Sequence, residues 1–357
     1  MSNIEQQRIR VAVIYGGRSP EHSVSCVSAG AVMSHLDPEK YEIIPVGITQ
    51  EGMWTIGESD YSRLRTQDRV LPVVEAREEL KLSLNPGQRG QFHTTDGQLH
   101  ATADVIFPVL HGPCGEDGTI QGLFELSGVP YVGNGVLASA AGMDKEFTKK
   151  LMLAVGLPIT PELVLRAGEE FPAKEKERLG LPVFVKPARG GSSIGISKVT
   201  AWEQLNAAIA LAREHDEKVI IEAEIVGDEV EVGVLQLADG RVIASVPAML
   251  EHTSESAEGF YGFETKYLDD VVTAAIPAPY SEEVTTRLQE LAVHTFTALN
   301  CEGLARVDFF QTAKGPVLNE INTMPGFTPI SMYPQVFAAS GVDYPELLDA
   351  LVQRALR

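Results

Sequence analysis

Residues 303–326, GLARVDFFQTAKGPVLNEINTMPG, constrain this chain more than any other stretch. Two β-prone runs flank the turn-forming Thr-Ala-Lys-Gly, which predicts an antiparallel hairpin. Side chains alternate faces along a strand, so Arg306 and Asp308 share one face, and Glu320 and Asn322 share one face of the partner. A short loop at residues 313–315 sets Asp308 opposite Glu320 and Arg306 opposite Asn322. Carboxylates opposed on one sheet face repel each other, and a divalent cation between them removes the repulsion. Asp, Glu and Asn supply only oxygen donors, a set that suits Mg²⁺ completed by phosphate oxygens and water. A solvated acidic ribbon with a surface arginine fits the same residues, and the hairpin alone does not choose between them.

The totals narrow the field. At 357 residues the chain is long enough for two or three cores. No apolar run is long enough to cross a bilayer, and the N-terminus has no hydrophobic signal core. Cys26, Cys114 and Cys301 are far apart with no CxxC spacing, so neither a disulfide framework nor a zinc cage is indicated. These features predict a cytoplasmic protein. Asp and Glu outnumber Lys and Arg 49 to 29, which argues against nucleic acid or an anionic membrane as partner. An anionic substrate must then be met by locally placed cations.

Near the N-terminus, Arg10-Val-Ala-Val-Ile-Tyr15 reads as a buried strand opening at Gly16-Gly17, and a helix follows that Ser23 or Ser25 caps. GxGxxG is absent, so a nicotinamide site is not indicated. Glu21, just before that helix, reads either as a favourable charge at its N-terminus or as an anchor for a substrate ammonium. Residues 51–100 are polar and poorly periodic and read as an insertion with little functional signal. The strand Ala103–Leu110 ends in His111-Gly-Pro-Cys-Gly-Glu-Asp-Gly118, a glycine-rich loop where an α/β sheet binds ligands. His111 there reads either as orienting a substrate carboxylate or as a satisfied loop histidine, and nothing near Cys114 activates a thiolate.

Further on, Lys145 falls in the first turn of a helix, where a cation opposes the dipole and a ligand anion repays the placement. Lys186 ends a buried strand and precedes Gly190-Gly191-Ser192-Ser193, a loop able to fold over phosphate oxygens. An ordinary Gly/Ser hairpin loop reads the same way. Val219 to Ile225 reads as another strand, which offers backbone groups to an adenine edge, with Glu229 positioned for ribose hydroxyls. The helical repeat Val284, Leu288, Leu291, Ala292, Phe296, Leu299 reads as core, as does a last helix from Tyr344 to Ala355.

Seven stretches in this order, GGRSPEHSVS, HGPCGEDG, MDKEFTKK, VFVKPARGGSSIGISKV, GFYGFETKY, LARVDFF and NEINTMPGF…SMYP, resemble the D-alanine–D-alanine ligases of the ATP-grasp superfamily. The resemblance implies a mixed α/β and α+β fold of three regions. These are an N-terminal Rossmann-like α/β substrate domain at 1–142, a central ATP-grasp subdomain at 143–225, and a C-terminal subdomain at 226–357 carrying the metal site and lid. It implies two Mg²⁺ ions, with Mn²⁺ as an alternative, held by Asp308, Glu320 and Asn322. ATP would be bound by Lys145, Lys186, Ser192, Ser193, Glu222, Ala223, Ile225 and Glu229, with Lys266 of the lid reaching the γ-phosphate. Glu21 would take the first D-alanine ammonium, Arg306 and the Gly326 amide the oxyanion, and Ser331 the second carboxylate. Tyr267 would bridge to the Glu21–Ser192 side, and a Lys-Tyr pair there accompanies an amine acceptor. The implied activity is ATP-dependent joining of two D-alanines for peptidoglycan precursor synthesis, by a homodimer. The alternatives are D-lactate or D-serine as second substrate, or a non-catalytic nucleotide-binding relative.

Overall fold

The computed structural model describes residues 7–66, 70–251 and 273–357. The N-terminal part runs β1 (Ile9–Gly16), α1 (His22–His35), β2 (Tyr41–Ile48), β3 (Trp54–Ile56), β4 (Leu80–Leu82), β5 (Gln91–Thr94), β6 (Leu99–Thr102), β7 (Val105–Val109), α2 (Thr119–Ser127) and α3 (Val136–Met143). Its sheet has the order β3-β2-β1-β7, with β1 parallel to both β2 and β7. The last six residues of β1 are all buried, as a parallel strand covered on both faces requires.

The middle of the chain continues with α4 (Lys145–Ala154), β8 (Glu162–Leu165), α5 (Glu175–Leu179), β9 (Val183–Pro187), β10 (Ser197–Val199), α6 (Leu205–Arg213) and β11 (Val219–Ala223). Its four strands pair antiparallel in the order β10-β9-β11-β8 and enclose a separate apolar cluster under α6. The rest comprises β12 (Asp228–Gln236), β13 (Val242–Ala244), β14 (Ala248–Glu251), β15 (Thr273–Ala275), α7 (Glu282–Ala298), β16 (Leu304–Thr312), β17 (Gly315–Asn322), α8 (Met332–Ala339) and α9 (Tyr344–Ala355). Its sheet runs β15-β14-β12-β16-β17, with β13 branching off β12. The expected core helices are α7 and α9, the latter with the predicted bounds.

The N-terminal and C-terminal parts share a core. Val11, Val13 and Tyr15 of β1 belong to one buried cluster with Phe327, Tyr333, Phe337 and Leu351. Asn134 joins the same two parts: its Nδ2 donates to Leu304 O at 2.7 Å and Thr323 O at 2.6 Å, and its Oδ1 accepts from Glu302 N at 2.8 Å.

Two sequence expectations are corrected here. Neither Ser23 nor Ser25 caps α1: the helix begins at His22, and Ser25 instead accepts from Gly16 N and donates to Val109 O. Residues 51–100 are not a featureless insertion. They form β3 and the small sheet β4-β5-β6, and the segment around Val74 crosses the carboxyl ends of β1 and β2. A Cβ at Gly16 would lie 2.7 Å from Val74 Cγ2 and 2.3 Å from Ile48 O, so only glycine admits this strap.

Candidate active site

The hairpin forms β16 and β17, and the pairs Asp308↔Glu320 and Arg306↔Asn322 stand opposite each other as expected. The means differ from the expected three-residue loop. The strands close at Thr312↔Gly315, a two-residue turn, and a bulge then shifts the register between Asp308 and Phe309. Phe309 faces Leu318 while Asp308 faces Glu320, so Asn319 is the extra residue. Without it the turn would set Asp308 against Asn319.

Asp308 is buried and heavily bonded. Arg306 donates to its Oδ1 from Nε at 2.8 Å and to its Oδ2 from Nη2 at 2.7 Å. Asn322 Nδ2 donates to Oδ2 at 2.9 Å. Arg306 also lies 3.0 Å from Glu231 Oε2. Burial alone would lower its pKa, but Asp308, Glu231 and Glu320 raise it well above the ordinary value. Lys145 reaches Glu320 Oε2 at 3.4 Å and donates to Gly190 O at 2.9 Å. Among the described residues, no group of three or more His, Cys, Asp or Glu side chains gathers to hold a metal ion. The set here is two carboxylates and one amide, all hard oxygen donors once the Asn322 amide turns its oxygen inward, and that chemistry fits Mg²⁺. Lys145 and Arg306 supply the balancing charge.

Across the cleft, Glu21 is the residue before α1 and its side chain makes no capping bond, although its charge still sits at the helix N-terminus. Its Oε1 accepts from Ser192 Oγ, 171 residues further along the chain. Ser192 and Ser193 both adopt left-handed backbone, with φ of 50° and 58°. Gly191 makes the approach feasible, since a Cβ there would lie 3.0 Å from Glu21 Oε2. The phosphate-type loop thus touches the expected ammonium anchor.

Lys145, Lys186, Ser192, Ser193, Glu222, Ala223, Ile225 and Glu229 all line one cavity of about 260 Å³, together with Asp308 and Glu320. Ile225 lies just past the end of β11 rather than within it. Glu222 is engaged at both oxygens, by Lys149 at Oε1 and by Lys186 at Oε2, the latter at 2.5 Å. Burial would raise its pKa, yet the two lysines outweigh burial and hold it at about 2. Burial likewise works against the charge on Lys186, and Glu222 and Glu320 overcome it to raise its pKa.

His111 is buried, with Nε2 3.3 Å from Ser28 Oγ, and burial lowers its pKa. Phe327 N donates to the same Ser28 hydroxyl at 3.3 Å, which brings His111 close to residues 324–327. Gly326 lies against Ser331, whose Oγ accepts from Thr328 N at 2.9 Å. Lys266 and Tyr267 lie outside the described residues.

Three participants escaped the sequence reading. Glu116 accepts from Gly112 N at 2.6 Å, and burial together with Glu21 raises its carboxyl to about 8. It sits in the same HGPCGEDG loop as His111, and a glutamate among three glycines was the available signal. Glu231 pairs with Arg306 from β12, where alternation with Glu229 marked it. Lys149 lies one helical turn after Lys145; like charges four apart repel, so the pair signalled carboxylates on both sides.

Two family models match the chain: "D-ala D-ala ligase N-terminus" over residues 10–134 and "D-ala D-ala ligase C-terminus" over residues 151–353. The chain is 70% identical over 356 residues to a D-alanine--D-alanine ligase of Corynebacterium efficiens, covering 100% of this chain and 99% of that protein. The VanG D-Ala:D-Ser ligase from Enterococcus faecalis superposes with a TM-score of 0.84 at 36% identity, covering 98% of this chain and all of its own. A D-alanine--D-alanine ligase from Bacillus anthracis complexed with ATP superposes with a TM-score of 0.73 at 27% identity, over 98% of both chains.

Proposed function

The chain belongs to the D-alanine–D-alanine ligase family, and from that premise we propose that it joins two D-alanines at the expense of ATP for peptidoglycan precursor synthesis. The observation that carries this reading is the contact of Glu21 with Ser192. An ammonium anchor touching a phosphate-gripping loop holds an amino acid with its carboxylate beside the terminal phosphate, which is the encounter an acyl phosphate requires.

The reaction proceeds in two displacements. A carboxylate oxygen of the first D-alanine attacks the γ-phosphorus, the bond to ADP breaks, and an acyl phosphate forms. The ammonium of the second D-alanine loses a proton to solvent and its amine attacks the acyl carbon; the C–N bond forms, the C–O bond to phosphate breaks, and the second N–H proton leaves with the phosphate. Lys145 and Lys186 hold phosphate oxygens, the Ser192–Ser193 loop covers them, and Glu222, Ala223, Ile225 and Glu229 take the adenosine end. Asp308, Glu320 and Asn322 would hold Mg²⁺, which spreads the charge on the transferring phosphoryl group. Glu21 anchors the first ammonium. Arg306 and the Gly326 amide meet the tetrahedral oxyanion, and His111 and Ser331 orient carboxylates. No protein nucleophile is needed. Lys266 and Tyr267, outside the described residues, keep the roles that the resemblance implies, toward the γ-phosphate and the second substrate. The enzyme works in the cytoplasm as a homodimer; among the described residues no helix is long and apolar enough to cross a membrane.

Phosphate release from ATP and Mg²⁺, assayed across D- and L-amino acids and D-hydroxy acids, tests this. D-Alanine alone is expected to give the fastest release, with the dipeptide as product. Faster turnover with D-serine or D-lactate as partner would reassign the second substrate. No release with any acceptor would leave a nucleotide-binding protein without this chemistry.

A further inference from the structure

Lys149 has no task in the scheme above, yet its side chain is only 1% exposed. Its ammonium contacts Glu222 Oε1 and lies 3.2 Å from Glu162 Oε2. Those two carboxylates belong to residues paired directly across β11 and β8, where like charges destabilise the sheet. Lys149 and Lys186 thus flank Glu222 from two sides, and the set of two cations and two anions carries no net charge. Lys186 and Glu222 line the cleft, and Lys149 stands behind Glu222 and does not line it. Whatever Lys149 does for a ligand, it does through that carboxylate.

Each carboxylate oxygen has two acceptor positions, so a lysine on each leaves capacity for a donor arriving from the cavity. An exocyclic amino group on a purine is such a donor, whereas a carbonyl at the same ring position sets acceptor against acceptor. Thr160 lines the same cavity and is 2% exposed, and its hydroxyl has no hydrogen-bond partner among the described residues. A second buried polar group therefore belongs to the lining of this cavity.

We propose that Lys149 is a positioning residue that aims the Glu222 carboxylate so that the cleft selects a 6-amino purine nucleotide over a 6-oxo one. This deepens the assignment of Glu222 to the adenosine end and rests on it. Removing Lys149 frees Glu222 to turn toward Lys186 and leaves it beside an unbalanced Glu162. The base then loses its fixed acceptor.

The test is binding of ADP and of IDP to the full chain, measured by calorimetry without D-alanine. Failure of D-alanine-dependent phosphate release would therefore leave this result standing. The wild-type protein is expected to prefer ADP by at least about tenfold, since a site built to bond a group rejects the analogue that lacks it. Lys149→Met should bring the ratio to within about threefold, mainly by weakening ADP, and should add nothing to Glu222→Gln, as groups acting through one another are not additive. Equal wild-type affinities would overturn the proposal, whatever the variants do. So would an unchanged ratio in Lys149→Met, or an equal fall in the Glu222→Gln background. Glu162→Gln, which leaves Glu222 as the one carboxylate beside Lys149 among the described residues, is expected to keep the ADP preference, and its loss would count against the proposal.

Discussion

At the scale of single residues, the cleft is a problem of crowded charge solved pair by pair. Glu116 is the residue whose balance tips the other way. Burial and the neighbouring Glu21 raise it, the Gly112 amide and Arg306 pull it down, and the result is a carboxyl near 8 rather than its usual 4.5. A folded-state pKa above the unfolded one means the native state holds the proton more firmly. The stabilisation is full below about 4.5 and is lost as pH rises through about 8. Urea unfolding at pH 6, 7.5 and 9 should show the wild-type protein losing about 1 kcal/mol or more over that window. Glu116→Gln, which carries no charge to lose, should follow a flatter profile. Parallel profiles for the two proteins would rule out Glu116 as the titrating group. The same crowding explains which residues the sequence disclosed. Lys186 stands near a strand end and Lys145 at a helix start, where position alone implies a ligand, and Asp308 and Glu320 stand opposed across a hairpin whose alternation is plain. Lys149 and Glu231 act by pairing with side chains from other elements, and Glu116 by burial beside Glu21, so the local signals each carries do not name the partner.

At the scale of elements, the N-terminal strap is tied at Val74 by a histidine and at Arg77 by bonds to Thr55, Gly57 and Glu58. His22 Nδ1 lies 2.7 Å from Gly17 O, and Val74 N donates to Nε2 at 3.0 Å. One ring nitrogen must donate and the other accept, which fixes the neutral tautomer with its proton on Nδ1. The ring therefore ties residues 71–77 to the loop that leads into Glu21. His22→Phe keeps an aromatic ring and removes both bonds; it should cost about 2 kcal/mol of stability. It should also raise KM for D-alanine several-fold while KM for ATP changes little. An equal change in both constants would mean that the strap supports the fold without positioning Glu21. The strap's segment has no apolar period because it packs through one valine, two glycines and backbone bonds, so its role was invisible in the sequence. The hairpin was legible for the opposite reason: strong alternation fixed its faces. Even there, the agreement in register came from a tight turn plus a bulge at Asn319, since turn residues specify the end of a hairpin and not its irregularities.

At the scale of the whole molecule, Asn134 carries more than its size suggests. It satisfies two carbonyls and one amide belonging to the C-terminal part. Asn134→Ala leaves all three unpaired in a buried place and should cost roughly 3–5 kcal/mol, read by denaturant unfolding. A loss below about 1 kcal/mol would show that water replaces the amide there. The three-region order was implied only by the resemblance of seven stretches to a family, and nothing in the sequence showed the core shared by β1, α1, α8 and α9, because it joins residues from opposite ends of the chain. That shared core has a mechanical consequence. First and last thirds are welded into one anvil, while the middle sheet keeps its apolar interior to itself. Any widening of the cleft to admit nucleotide is cheapest as a jaw movement of that middle piece. The Ser192–Glu21 bond is then the latch that reports whether the jaw is shut.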